Sequence, residues 1–375
     1  MTHEGVMAQM IDGGHEEILF CYDKEVGLKA IVAIHNTTLG PALGGTRMWP
    51  YATEEEALYD VLRLSRGMTF KAAAAGLNLG GGKAVIIGDP KKDKSEALFR
   101  VYGRFINSLN GRYITAEDVG TDVNDMEYTF TETDYVTGIE KTHGGSGNPA
   151  PFTALGVFQG IKACAEQIFG TDDLKGRLIA VQGVGQVGSH LIRRLKASGA
   201  KVVACDIDPE KLKKAQTELG FEVVSETEIL KMECDIFSPS ALGAVINDKT
   251  VNGFQAKIIA GAANNQLARP EHAEILRERG ILYAPDYVIN AGGLINVYQE
   301  LEGYSRERAE RITRGIYYNL KNVFQLAATH KINTDKAAEM MVEDRLKKLR
   351  KGGSFFQQER KTVLNHIHNR RRQAT

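Results

Sequence analysis

A chain of 375 residues, 43% hydrophobic and 25% charged, is long enough for two domains that each bury a core, with a cleft between them as the natural place for a site. Lys+Arg and Asp+Glu each number 47, so no net charge draws the chain to nucleic acid or to an anionic membrane. Four dispersed cysteines without a C-x-x-C pair, nine histidines without an H-E-x-x-H, no signal-peptide pattern and no apolar run of bilayer length point to a reducing, cytoplasmic setting without a metal site.

Along the chain, Thr53 and Glu56 form a capping pair for a helix whose apolar residues Leu58, Val61, Leu62, Leu64 and Met68 recur at helical spacing. Lys71 continues that stripe and is expected to point inward. Gly80, Gly81 and Gly82 precede Lys83, which opens a strand over 84–88 and stands where backbone can approach a ligand. A phosphate-binding P-loop is excluded here, because Leu77 stands where that motif needs Gly and Ala84 where it needs Ser or Thr. A helix over 95–109, closed by Gly111, leads to a strand at 113–115, and Asp118 lies in the loop that follows.

Three glycines and two prolines in 144–151 mark a domain boundary. The expected division is a first domain over 1–146, with substrate-binding, catalytic and oligomerisation roles, and a second over 147–329 that binds dinucleotide. The C-terminal helices, about 330–375, are expected to pack back on the first. In the second domain, 177–208 reads as a strand, tight glycine turn, helix and strand, the size of one βαβ unit. Further buried strands are expected at 234–237, 257–261, 281–284 and 287–290, which makes the fold class α/β, with a doubly wound, Rossmann-type second domain. From 306 to 351 the pattern is helical with a break near Asn333, and the tail with His366, His368, Arg370, Arg371 and Arg372 reads as solvated.

Gly183-x-Gly185-x-x-Gly188 follows an apolar strand, opens a helix and precedes Asp206 at the end of the next strand. Gly183 allows the turn, Gly185 lets a pyrophosphate approach, and Gly188 permits close helix–strand packing, with the helix N-terminus facing the phosphates. Asp206 suits ribose hydroxyls, and Ile207 and Asp208 supply no arginine for a 2′-phosphate, which favours NAD over NADP. A βαβ turn that binds nothing is the structural alternative.

Two lysines and a carboxylate in one cleft have complementary uses: one ammonium holds a substrate carboxylate, the second activates water, and the acid exchanges protons with an amine. Read singly, each also has a structural use: Lys71 snorkelling to the surface, Lys83 in an ion pair, Asp118 capping a turn.

Five stretches in order, TTLGPALGGTRMWPY (37–51), RLSRGMTFKAAAAGLNLGGGKAVIIGDP (63–90), YITAEDVGT (113–121), GVGQVG (183–188) and APDYVINAGGLINV (284–297), resemble the leucine, phenylalanine and valine dehydrogenase branch of the glutamate dehydrogenase superfamily, over nearly the whole chain. The resemblance implies that Lys71 binds the substrate carboxylate, Lys83 is the catalytic lysine and Asp118 handles the amine proton. Gly44 and Gly45 then line the substrate site, and Asn290 lies near the substrate carboxylate. Thr153 and Asn265 sit at the nicotinamide, while Val184, Gln186, Val187 and Ser189 complete the cofactor turn with the three glycines. Leu43, Ala116, Leu294 and Val297 fall at the side-chain positions, where glutamate enzymes carry Lys and Ser in place of Leu43 and Val297. The implied activity is NAD-dependent oxidative deamination of branched-chain L-amino acids, L-leucine first, to 2-oxo acids and ammonia. Leu294 matches the phenylalanine enzymes, which makes phenylalanine the alternative substrate, and an inactive NAD-binding module is a further alternative. Ser240 stands where the family usually has Cys. The family also implies a homo-oligomer, often an octamer.

Overall fold

The computed structural model describes residues 5–241 and 243–350; the tail histidines and arginines singled out above, and the end of the 330–375 segment, lie outside them. Two compact units account for the described chain. The first comprises 5–147 with 297–306 and the chain from 344, and the second comprises 148–296 with 307–343.

The first unit runs α1 (Val6–Gly13), β1 (Glu17–Asp23), β2 (Leu28–Asn36), β3 (Ala42–Trp49), α2 (Glu54–Ala74), β4 (Gly80–Ile87), α3 (Glu96–Ser108), β5 (Tyr113–Glu117) and α4 (Val123–Phe130). Its five strands lie in the order β1-β2-β4-β3-β5, with β2 antiparallel to β1 and β4, and β3 parallel to β4 and β5. Thr53 starts α2 by accepting the Glu56 N–H at 3.1 Å, while the Glu56 carboxylate accepts the Ala52 N–H at 3.0 Å, so the pair reaches one residue further back than a capping box. The helix buries Ala57, Leu58, Val61 and Leu62 on Ile31, Ala33 and Val85 of the sheet.

The three glycines before Lys83 serve packing within the protein. A Cβ on Gly80 would lie 2.0 Å from the Asn36 carbonyl oxygen, one on Gly81 2.0 Å from the Thr69 nitrogen, and one on Gly82 2.6 Å from the Tyr113 ring. The close approach anticipated there for a ligand is thus made by β2, α2 and β5, which lets the helix carrying Lys71 settle on the strand carrying Lys83.

The second unit contains α5 (Ala150–Phe169), β6 (Leu178–Gln182), α6 (Gln186–Ala197), β7 (Lys201–Cys205), α7 (Pro209–Leu219), β8 (Glu222–Val223), α8 (Glu226–Ile229), β9 (Ile236–Pro239), β10 (Ile258–Ile259), α9 (Glu271–Glu278), β11 (Leu282–Tyr283) and α10 (Asp286–Ile289). Its strands are all parallel, in the order β8-β7-β6-β9-β10-β11, the 3-2-1-4-5-6 arrangement of a doubly wound dinucleotide fold. One core under the sheet gathers Phe237, Phe254, Ile246, Ile259, Leu276 and Tyr283.

The strand expected at 287–290 is instead the helix α10 and its cap. Its β-branched Val288 and Ile289 are buried, and Ile289 lies against Gly160 of α5, where any side chain would collide with it. Tertiary packing here overrides a strand-like composition.

The chain continues as α11 (Gly292–Leu301), α12 (Arg306–Arg314), α13 (Ile316–His330) and α14 (Thr334–Arg350). The break near Asn333 is present: Lys331 adopts a left-handed φ of 56°, and the Asn333 side chain accepts the Lys336 N–H. Residues 330–343 fall with the second unit, because Thr334 donates to the Tyr283 carbonyl at 2.6 Å and Asn333 to Glu274 at 2.9 Å. From Asp344 the chain belongs with the first unit, where Arg345 donates to the carbonyls of Ala73 in the last turn of α2 and Leu77 just past it. Among the described residues no helix is long and apolar enough to cross a membrane.

Candidate active site

Lys83 is almost fully buried, and its ammonium lies 3.0 Å from Asp118 Oδ2. The sheet brings them together: β4 carries Lys83, and β5, two strands away across β3, delivers Asp118 to the same end. The Asp118 loop is tied down by Thr121, whose hydroxyl accepts the Asp118 N–H at 2.9 Å and donates to the Thr46 carbonyl at 2.8 Å. Gly120, at φ 83°, passes so close to β3 that a Cβ would lie 2.0 Å from the Met48 carbonyl oxygen.

Arg47 of β3 completes this cluster. Its Nε donates to Asp118 Oδ2 at 3.0 Å, and its Nη1 donates to Asp60 Oδ2 on α2 at 2.8 Å. Tyr51 donates to the same Asp60 oxygen at 2.7 Å, and Arg63 contacts the other at 3.0 Å. Burial pushes the Lys83 ammonium below the usual lysine range, with Arg47 adding to the effect and Asp118 opposing it. Burial also works against the Asp118 carboxylate, but Lys83 and Arg47 outweigh it and hold the group below the usual carboxylate range. Desolvation is the largest single influence on both groups; for Asp118 two cations, Lys83 and Arg47, overcome it, whereas for Lys83 the Asp118 charge does not and Arg47 adds to it.

Lys71 lies half-buried in the last turn of α2, two residues beyond Thr69, which sits on Gly81 of the Lys83 strand. Gly44 and Gly45 lie in β3 opposite Thr115 and Ala116. Gly44 touches the Gly82 backbone, and Gly45 passes the Asp118 side chain so closely that a Cβ would lie 2.8 Å from it. Leu43 and Ala116 are buried on the same pair of strands. Arg47 and Asp60 escaped the sequence reading: Arg47 sits within the GGTRMW stretch quoted for the resemblance without a role, and Asp60 is recognisable only once α2 and β3 are adjacent.

In the second unit, Gly183 takes a φ of 101°, and a Cβ on Gly188 would lie 2.0 Å from the Gly183 carbonyl oxygen. A Cβ on Gly185 would meet nothing, and no side chain caps α6 there, so its first amides face open space. Val184 and Ser189 close the turn on itself, the serine hydroxyl donating to the Val184 carbonyl at 2.7 Å. Gln186 and Val187 form the first turn of α6. Asp206 accepts the Val184 N–H at 2.8 Å and the Asp208 N–H at 3.0 Å, which sets the carboxylate beside the glycine turn. Buried Gln182 Oε1, Ser238 Oγ and Ser240 Oγ, at the carboxyl ends of β6 and β9, have no hydrogen-bond partner among the described residues. An open glycine turn, an uncapped helix and polar atoms awaiting partners at the point where the strand order reverses fit a bound dinucleotide.

Thr153 lies in the first turn of α5 and donates to the Pro149 carbonyl at 3.2 Å, beside Gly293. Asn265 is exposed with a left-handed φ of 51°. Asn290 is buried; its amide donates to the Ala262 carbonyl at 3.1 Å and to Asn264 at 2.8 Å, and among the described residues Oδ1 has no hydrogen-bond partner. Leu294 is buried on α11, and Val297, one turn on, falls with the first unit.

A parallel sheet of this order with an open glycine turn, in a chain that also buries a lysine–aspartate pair, defines a two-unit, nicotinamide-dependent dehydrogenase. Residues 15–135 match the Glu/Leu/Phe/Val dehydrogenase dimerisation domain, and residues 144–210 and 207–351 match the Glutamate/Leucine/Phenylalanine/Valine dehydrogenase family. The chain is 58% identical to leucine dehydrogenase of Geobacillus stearothermophilus over 96% of each, and 50% identical to phenylalanine dehydrogenase of Thermoactinomyces intermedius over 90% of this chain and 92% of that protein. The crystal structure of L-tryptophan dehydrogenase from Nostoc punctiforme superposes with a TM-score of 0.82 at 47% identity, covering 92% of this chain and 99% of that one. The chain belongs to the Glu/Leu/Phe/Val dehydrogenase family, an amino acid dehydrogenase of two α/β domains.

Proposed function

We propose that this enzyme catalyses the reversible NAD-dependent oxidative deamination of L-leucine and other branched-chain L-amino acids to 2-oxo acids and ammonia. The observation that carries the reading is the buried Lys83 in contact with Asp118. Burial keeps the lysine ready to work as a base, and the acid keeps one oxygen free of it.

Lys71 holds the substrate carboxylate, with Asn290 near it. Asp118 accepts a proton from the substrate ammonium, leaving a neutral amine at Cα. Thr153 and Asn265, with Gly183, Gly185, Gly188 and Asp206, would hold the nicotinamide cofactor, which would supply the acceptor for the hydride from Cα. Water then adds to the imine carbon as Lys83 takes one of its protons. Asp118 returns its proton to the nitrogen, the C–N bond breaks as the carbonyl forms, and the hydroxyl proton leaves to solvent. The lysine proton passes to the released ammonia, so the products are the 2-oxo acid and ammonium.

The family resemblance assigns Leu43, Ala116, Leu294 and Val297 to the substrate side chain, and all four are apolar. A glutamate side chain would bury its second carboxylate against them without a partner, at a cost of several kcal/mol. Leu294 favours phenylalanine as the second reading; the higher identity to a leucine dehydrogenase favours leucine. Asp206 and the absence of a cation in Ile207 and Asp208 favour NAD, and the neighbouring Lys211 ammonium is engaged by Asp208 at 3.1 Å. A homo-oligomer, in the octameric form the family suggests, is supported by the edge strand β1, on which Phe20 and Tyr22 are 55% and 64% exposed.

Turnover of a panel of L-amino acids with NAD and with NADP, followed by absorbance of the reduced nicotinamide, tests the reading. L-leucine with NAD is expected to lead; a large preference for phenylalanine would replace the substrate, and no turnover with any amino acid would remove the activity.

A further inference from the structure

Asp118 Oδ2 receives two cations at once, Lys83 Nζ and Arg47 Nε, each at 3.0 Å. The contacts from Lys83 and Arg47 both fall on Oδ2 rather than Oδ1, and the side chain is a quarter exposed. Two fixed donors on one oxygen leave a carboxylate a single orientation, in which the second oxygen is the one offered to a ligand. Arg47 is itself held from the opposite side by Asp60, which Tyr51 and Arg63 fix in turn.

On the reading that Asp118 exchanges the substrate's amine proton, we propose that Arg47 is a positioning residue for the reaction: it clamps Asp118 Oδ2 so that Oδ1 faces the amine. The charged and titratable groups of this cluster are Lys83 on β4, Asp118 after β5 with Glu117 beside it, Arg47 on β3, Tyr51 after it, and Asp60 and Arg63 on α2. The Arg47 charge lowers the proton affinity of both Asp118 and Lys83. Its removal therefore moves both groups in one direction, toward protonation at higher pH. Arg47 needs no contact with substrate for this effect.

The test compares wild type, Arg47→Gln and Arg47→Lys in the pH dependence of kcat/KM for L-leucine with NAD, alongside their melting midpoints. In Arg47→Gln the acid limb is expected to move up by about one pH unit, with kcat lower by roughly tenfold to a hundredfold. Arg47→Lys keeps the charge and loses the guanidinium fork, so its acid limb is expected near that of wild type while kcat stays reduced. An unchanged acid limb in Arg47→Gln, with only a lower melting midpoint, would reduce Arg47 to a structural tie between β3 and α2. Should Arg47→Gln fail to fold, Arg47→Lys decides alone, and a wild-type kcat there overturns the clamp. Absence of turnover in wild type with every amino acid is a separate result, which removes the dehydrogenase reading and the clamp with it.

Discussion

A lysine buried against one carboxylate is a poor device for stability. Its desolvation works against the folded state, and Asp118 recovers only part of that through a contact at 3.0 Å. A chain keeps such a group where its lowered proton affinity is used. Lys83→Met fills nearly the same volume without the charge, and Arg47 still compensates Asp118 in that variant. The expected outcome is a melting midpoint no lower than wild type with turnover reduced by about a hundredfold or more; a fall of several degrees in a thermal melt would show that the ion pair is structural. At this scale Lys83 and Asp118 stood out as candidates because a lysine after three glycines stands where backbone can approach a ligand and a loop after a strand is a usual place for a catalytic carboxylate. Arg47 did not, since an arginine in a strand acquires meaning only from the two acids that face it.

Elements hold these residues by close backbone approach. Gly188 allows α6 to pass the turn from β6, and a Cβ there would lie 2.0 Å from the Gly183 carbonyl oxygen. Gly188→Ala is expected to weaken NAD binding at least tenfold, with the Lys83–Asp118 pair untouched; calorimetric titration with NAD measures it, and wild-type affinity would contradict the packing role. Where α2 meets β2, His35 bonds Thr69 at 2.8 Å and stacks edge-on with His15. Burial, with the nearby charges of His15 and Arg66, pushes the His35 imidazole down to about 4 from its ordinary 6.5, against a hydrogen bond involving Gly13. The folded state thus holds His35 neutral where the unfolded chain protonates it. Its contribution is complete above pH 6.5 and is lost as pH falls toward 4, on the order of 3 kcal/mol in all. Urea unfolding across that window is expected to show stability falling with pH, and a flatter slope in His35→Gln. An equal slope in the variant would place the acid sensitivity elsewhere.

At the scale of the whole molecule, each unit has its own sheet and core, and the chain passes between them within α11, α12 and α14 as well as at 147–148. Assembly beyond one chain is predicted to use β1, a seven-residue edge strand paired only with β2 among the described residues, on which Phe20 and Tyr22 are exposed. Phe20→Lys combined with Tyr22→Lys is expected to lower the mass measured by light scattering to that of a smaller species; an unchanged mass would move the interface to another face.

From the sequence alone came the α/β class, the glycine turn with its aspartate, the capped helices and the lysine and aspartate candidates. Each of these is written in residues close together along the chain: a periodicity, a cap, a triplet of glycines, a turn before a helix. Tertiary structure alone decided that 287–290 is helical, because the space against Gly160 is what the buried Ile289 side chain fills. It likewise decided that Gly80, Gly81 and Gly82 seat α2, β2 and β5, and that Arg47 joins Asp118 to Asp60. Those outcomes depend on which surfaces meet after folding, and residues 71 positions apart, as Arg47 and Asp118 are, leave no local pattern of their meeting.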